Sequence, residues 1–382
     1  MIRTALLAAA LLWPTHALAQ SVPPEVMQHY RTYAAELKKA EPDTAVLGDA
    51  ARAAWMTAED TLGDHKLTGD LAVNFAETRH AMVDGQWTPE VREKAYSRAV
   101  ELADLYPDAE RDDVRAQRQI LLAQFLIEDG RYDTKHTTKA RRVLKDLGER
   151  MDELGWSNRT YHGDMQTLLA QARLLDRRYK KVLEHTDLAR AAFERADDGL
   201  FSVQRYQLPL FEAVAAQELG QDIRAGKSLQ KLVEDHYQQI GSYTGPSAVA
   251  YSRWLELSDD LQRRASEPEV AQLLAWLPPP AKSSKDPAVR LPPVMPPDAE
   301  HSGWTKFEFD IRPDGRIDMD TVKVVDTSER VFIDPSRDSI RKWVYPPGMG
   351  EDDRKGLSTI ITYQLSDERG ELIPSPKPKP VE

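Results

Sequence analysis

The sequence predicts a multidomain α+β chain in which an α-solenoid of helical hairpins precedes a small β-β-α-β domain. Three observations carry this. From about residue 25 to residue 276 glycine is sparse, alanine, leucine and arginine are frequent, and apolar residues recur at helical spacing. Within that region one segment is repeated. From Trp304 onward the period changes to two, turns at Pro313-Asp314-Gly315 and then resumes.

Composition narrows the function classes. The chain has 382 residues, enough for two or three domains, and a formal net charge of -11, which argues against a nucleic-acid surface because phosphate binding needs an excess of Lys and Arg. Residues 1–19 read as a cleavable signal peptide: Arg3, an apolar run from Ala5 to Trp13 too short to span a bilayer, then Ala17-Leu18-Ala19 before Gln20. The expected location is therefore the periplasm of a Gram-negative-type envelope, with no transmembrane span after cleavage. An uncleaved membrane anchor is the alternative, interrupted by Pro14 and His16. There is no cysteine, so the exported fold relies on packing without disulfides, and thiol nucleophiles and thiolate metal sites drop out.

Residues 22–276 form the helical region, beginning with a helix near Glu25 to Lys39. Residues 121–132 read LLAQFLIEDGRY and residues 168–179 read LLAQARLLDRRY, matching at seven of twelve positions with an offset of 47. Ala123-Gln124, Asp129 and Arg131 correspond to Ala170-Gln171, Asp176 and Arg178. They correspond again to Ala216-Gln217, Asp222 and Arg224 at a further offset of 46. Asp84-Gly85-Gln86-Trp87 reads as a degraded earlier copy. A recurring small residue lets helices approach closely, and the Asp-x-Arg element falls where one helix of a pair turns into the next. The pattern resembles the tetratricopeptide-repeat class, as does the run AYSRAVELADLYP at 95–107, although the period exceeds that family's 34 residues. The resemblance implies a concave face on which a peptide or protein partner would lie.

Residues 277–301 change composition to Pro278-Pro279-Pro280, Lys-Ser-Ser-Lys, Pro292-Pro293 and Pro296-Pro297, a proline-rich linker expected to act as a semi-stiff spacer. The tail, residues 367–382, ends IPSPKPKPVE and is expected to be disordered.

The last domain, 302–366, is read element by element. Phe307, Phe309 and Ile311 alternate with Lys306, Glu308 and Asp310 as a strand with one buried face. Gly315 takes the positive φ of the turn. The return strand, 317–326, turns Ile317 and Met319 inward, then changes phase at Thr321-Val322, which predicts a bulge near Val322, Val324 and Val325. Asp334-Pro335 predicts a capped helix start, with Ile340, Trp343 and Val344 on one helical face, Arg341 and Lys342 in the last turn and Pro346-Pro347 as the stop. A final strand places Leu357, Thr359, Ile361, Tyr363 and Leu365 on one side.

These ordered elements, GWTKFEFDIRPDGRI, VKVVDTS, FIDPSRDSIRKWVYPP and LSTIITYQL, resemble the TonB carboxy-terminal domain family. The helix closes with Trp343-Val344-Tyr345-Pro346, where Val344 replaces the family's basic residue, and Met295-Pro296-Pro297 replaces its Tyr-Pro entry. The amino-terminal anchor of authentic TonB is here the cleavable signal. What the resemblance implies is strand addition: an extended peptide from an outer-membrane receptor joins the last strand around Thr359, Ile361 and Tyr363. Elementary physics agrees, since a three-stranded sheet leaves two edges with unpaired main-chain groups. Backbone does the pairing, so these side chains tune specificity or pack the sheet, the latter an equal alternative for Ile361 and Leu365.

No catalytic, cofactor or metal residues are assigned. Glu77-x-x-His80 places a carboxylate and an imidazole on one helical face, but carboxylate metal bundles need a second copy. His-Glu-x-x-His, Gly-x-Ser-x-Gly, phosphate-loop and dinucleotide patterns do not occur. The expected role is a protein-binding adaptor, not an enzyme. A membrane-anchored energy transducer, or an envelope enzyme with a site in the solenoid groove, are the alternatives.

Overall fold

The computed structural model describes residues 22–78, 83, 84, 86, 88–129, 134–200, 202–280, 286–366, 372 and 373. The expected signal peptide, His80 of the Glu77-x-x-His80 pair, Gly85 and Trp87 of the degraded repeat, and the Lys-Ser-Ser-Lys run lie outside the described residues. So does the tail, except Leu372 and Ile373. Among the described residues there are thirteen α-helices and a three-stranded antiparallel sheet near the C-terminus. No helix among them is long and apolar enough to cross a membrane.

The chain divides into two compact units, Met1–Asp176 with Ala191–Leu200, and Arg177–Arg190 with Phe201–Glu382. The first contains α1 (Pro24–Leu37), α2 (Thr44–Leu62), α3 (Lys66–Glu77), α4 (Pro89–Glu101), α5 (Asp108–Asp129), α6 (Thr134–Glu153) and α7 (Thr160–Leu175). Successive helices pack as neighbours, as short connections require. Local chemistry sets their starts: Pro24 and Pro89 open α1 and α4, and Asp43 caps α2 by accepting from the Ala45 amide at 2.9 Å. Alanine makes close packing feasible, with Ala54, Ala58, Ala72, Ala76, Ala95 and Ala99 all essentially inaccessible to solvent. Large side chains then fill the space between helices, Trp55 stacking on Phe75 with ring centroids 5.5 Å apart.

The second unit holds α9 (Gln204–Glu218), α10 (Asp222–Ile240), α11 (Pro246–Leu261) and α12 (Pro268–Leu274), followed by the sheet; the unit boundary falls inside α8 (Tyr179–Arg195). The repeated Ala-Gln dipeptides occupy related places. Ala123, Ala170 and Ala216 are each fully buried near the C-terminal end of α5, α7 and α9. The aspartates drift: Asp129 ends α5, Asp176 caps α7, and Asp222 begins α10, because α9 stops sooner after its alanine and Gly220 takes φ +70° in the turn.

The β-β-α-β order is observed as β1 (Gly303–Ile311), β2 (Ile317–Thr327), α13 (Ile333–Ile340) and β3 (Leu357–Tyr363), with strand order β2-β1-β3. Odd positions of β1 point inward, so Phe307, Phe309 and Ile311 build a core with Ile317, Phe332, Ile340, Trp343, Tyr345, Ile361 and Tyr363. The bulge in β2 is present. Register slips between Lys306 and Phe307, stranding Val325, and again between Glu308 and Asp310, where Thr321 Oγ1 substitutes for the ladder by accepting from the Asp310 amide at 2.9 Å.

Two expectations are corrected. Asp334 is not the helix cap: a 3-10 turn over Arg330–Phe332 leads directly into α13, so Asp334 and Pro335 sit inside its first turn. Nor does the helix reach Trp343-Val344. It ends at Ile340, because the Val344 amide and carbonyl are both taken by Val289, at 3.1 and 3.0 Å. The linker is correspondingly not a free spacer over its described second half. The Leu291 carbonyl accepts from Ser339 Oγ at 2.6 Å and Trp343 Nε1 at 3.1 Å, Arg290 lies over the Trp343 ring, and Met295 packs on the sheet core. At its start, Pro279 and Pro280 carbonyls accept from Tyr243 and Tyr237, each at 2.6 Å.

Candidate functional site

β1 is the central strand, so β2 and β3 are the two margins of the sheet. They differ in kind. β2 is broken by its two register slips, which twist and interrupt a row of edge donors and acceptors. β3 is regular: each residue from Leu357 to Tyr363 pairs with one residue of β1 without a slip.

Which main-chain groups of β3 face outward follows from the hydrogen bonds of β1. In an antiparallel strand the N–H and C=O of one residue point to the same side, and the next residue's to the other. Trp304 O accepts from the Ser328 amide at 2.9 Å and the Asp310 amide donates to Thr321, so even residues of β1 bond toward β2. Odd residues therefore bond toward β3. Their partners are Tyr363 for Gly303, Ile361 for Thr305, Thr359 for Phe307 and Leu357 for Phe309. The groups left facing away from β1 belong to Ser358, Ile360 and Thr362. Beyond the strand the same phase holds, since the Leu365 amide donates inward to Ser302 Oγ at 2.9 Å.

Thr359, Ile361 and Tyr363 thus sit on the expected strand, with backbones turned toward β1. Ile361 and Tyr363 are 4% exposed, and the Tyr363 hydroxyl shares a 2.8 Å hydrogen bond with Ser336 Oγ while its ring lies 4.7 Å from Phe332. Burial pushes the Tyr363 phenol up in pKa, and the Ser336 bond opposes the shift. These two side chains anchor the strand. The residues with outward backbones, Ser358, Ile360 and Thr362, escape sequence reasoning, because two-residue alternation shows faces but not which neighbour lies on which side. Ile360 is 56% exposed, on the same solvent face as half-buried Trp304 and Lys306.

No protein-family model and no curated protein sequence matches this chain.

A separate cavity of about 620 Å³ in the second unit is lined by Arg190, Glu212, Arg224, Lys227, Lys231 and Arg264 among others. Its lining carries five cations and two carboxylates, and four of the cations meet a carboxylate, one of them Asp235 outside the lining. Glu212, 3% exposed, takes both Arg190 and Arg224, Arg264 meets Asp222 at 3.0 Å, and Lys231 meets Asp235 at 3.0 Å.

Proposed function

We propose that this chain is an exported protein-binding adaptor whose C-terminal β-β-α-β unit receives an extended peptide along β3, upstream helical hairpins of tetratricopeptide-like character serving as scaffold and second docking face. The observation that carries the reading is the regular β3 margin. Main-chain groups of Ser358, Ile360 and Thr362 face outward there beside an exposed Ile360, while β2 is interrupted. An added strand supplies the missing hydrogen bonds, and alternate side chains of the peptide meet Ile360 on one face. The resemblance to the TonB carboxy-terminal family supports periplasmic location and an outer-membrane receptor segment as the peptide's source.

The test is amide hydrogen exchange on the full chain with and without synthetic extended peptides from envelope receptor termini. Binding in this mode slows exchange at Ile360 and Thr362 and leaves Thr359 and Ile361 unchanged. A peptide that binds while protecting only helical segments, or a panel that protects nothing, refutes the strand-addition reading.

A further inference from the structure

The cavity in the second unit is walled by residues of α8, α9 and α10 and by Arg264, in the 3-10 turn that follows α11. Arg224, Lys227, Ser228 and Lys231 recur at helical spacing, so one face of α10 turns four donor side chains into the same space. About 620 Å³ is room for a small organic molecule.

Most of the guanidinium donors are occupied. Buried Glu212 takes Arg190 and Arg224, and Asp187 takes both again from outside the lining. Arg264 divides its donors between Asp222 at 3.0 Å and the two carboxylate oxygens of Glu267 at 2.8 and 2.9 Å. Lys231 meets Asp235. Among the described residues Lys227 has no ion-pair partner and Ser228 Oγ no hydrogen bond. Asp187, Asp235 and Glu267 stand outside the lining, so the ion pairs balance while the cavity itself is fronted by more positive than negative charge. Apolar walls concentrate such an excess on what enters.

The donors that remain decide the anion. Planar guanidinium forks fit a carboxylate edge to edge, and here they already hold carboxylates. An ammonium and a hydroxyl at adjacent positions, with a second ammonium one turn on, donate from several directions and suit a tetrahedral group with three terminal oxygens. Leu208, Pro209 and Ile223 add an apolar wall. We infer that this cavity binds a small organic phosphate, its phosphate held by Lys227, Ser228 and Lys231 and its apolar body lying against Leu208, Pro209 and Ile223. The site is separate from the β3 margin and does not depend on strand addition.

Isothermal titration calorimetry of the full chain with phenyl phosphate, benzoate and inorganic phosphate tests this. Phenyl phosphate is expected to bind at a single site, about tenfold or more tighter than either of the others. Lys227 is exposed, so Lys227→Met spares the packing and is expected to weaken phenyl phosphate by about tenfold or more. Ser228→Ala is expected to weaken it in the same sense. Lys342→Met, which removes an equal charge from an exposed position outside the lining, is expected to leave the affinity unchanged. Absence of phenyl phosphate binding, equal affinity for benzoate or for inorganic phosphate, undiminished affinity in Lys227→Met, or an equal loss in Lys342→Met would each overturn the inference.

Discussion

The Gly315 carbonyl accepts the Tyr345 amide at 2.8 Å, and a Cβ built on Gly315 would stand 2.2 Å from the Tyr345 carbonyl oxygen. The hairpin turn and the segment after α13 are thus in backbone contact, and Gly315 also holds φ +85°. Gly315→Ala is expected to destabilise the chain by about 1–3 kcal/mol from conformation alone, with the contact adding to it. Urea unfolding reads this out, and a midpoint unchanged from the parent would show that the turn and the segment separate freely.

The next residue joins the same turn to helix α11. Arg316 Nη2 donates to the Leu255 carbonyl at 2.6 Å, Nη1 meets the exposed Asp259 carboxylate, and Tyr251 donates to the Asp314 carbonyl at 2.9 Å. Asp259→Asn is expected to cost less than about 1 kcal/mol, as exposed pairs do. Arg316→Met also deletes the charged donor to the Leu255 carbonyl, which keeps Ser258 Oγ at 2.8 Å, and is expected to cost about 1–3 kcal/mol. Equal losses from the two variants would assign the docking to the exposed ion pair instead.

What could be read from the sequence was local. The inward set Phe307, Phe309 and Ile311 is legible because period two is a property of one strand, and the β2 bulge because a phase change is too. Helix α13 is legible as an element but not at its ends. Asp334-Pro335 has the chemistry of a start, yet the 3-10 turn at Arg330–Phe332 takes that role. Val344 leaves the helix because Val289, far upstream, claims its main chain. The linker's prolines announce a non-helical segment, whereas its attachment through Leu291 to Ser339 and Trp343 is long-range and invisible in composition. The β3 margin was likewise half legible: the strand was evident, and the outward backbones of Ser358, Ile360 and Thr362 required the strand order.

His236 offers a pH test. It is buried in α10, neither ring nitrogen has a hydrogen-bond partner among the described residues, and burial depresses its pKa below the ordinary 6.5. Below pH 6.5 the unfolded imidazole takes a proton that the folded one refuses. Stability from this group is therefore full above pH 6.5, declines as the pH falls below it, and levels off below the depressed native value. His162, also depressed by burial, contributes in the same direction. His236→Leu is expected to flatten part of the decline in unfolding free energy between about pH 6.5 and 5. A variant with the parent's slope would assign the acid sensitivity elsewhere.

In the first unit, Arg118 is 4% exposed and donates to the Ala99 carbonyl at 2.6 Å, to Asp70 at 2.6 Å and to the Tyr106 hydroxyl at 3.1 Å, while Tyr106 also bonds Asp70. Desolvation raises the Asp70 carboxyl pKa despite these partners. Arg118→Met leaves that carboxylate without its counter-charge, and a loss of about 3–5 kcal/mol is expected. Adding Asp70→Asn to the variant should recover a measurable part of it, since the uncompensated charge is then gone. No recovery would place the loss in packing around the guanidinium.

The β3 margin is best tested by placing proline on adjacent residues. The Ile361 amide faces β1 opposite Thr305 and its side chain is in the core, so Ile361→Pro removes a ladder donor and empties a packed position, at an expected cost of about 3 kcal/mol or more. The Ile360 amide faces outward and its side chain is exposed, so Ile360→Pro falls where edge strands tolerate proline and is expected to cost about 1 kcal/mol or less. The ranking inverts for recognition. Ile360→Pro deletes a donor that an incoming strand must use, so a folded Ile360→Pro chain is expected to lose about tenfold or more in affinity for any peptide that protects β3 in the parent. Thermal unfolding and peptide titration on the same samples separate the two effects. Undiminished binding by the Ile360→Pro chain would mean that the peptide is held by side chains or by the helices, and not by strand pairing.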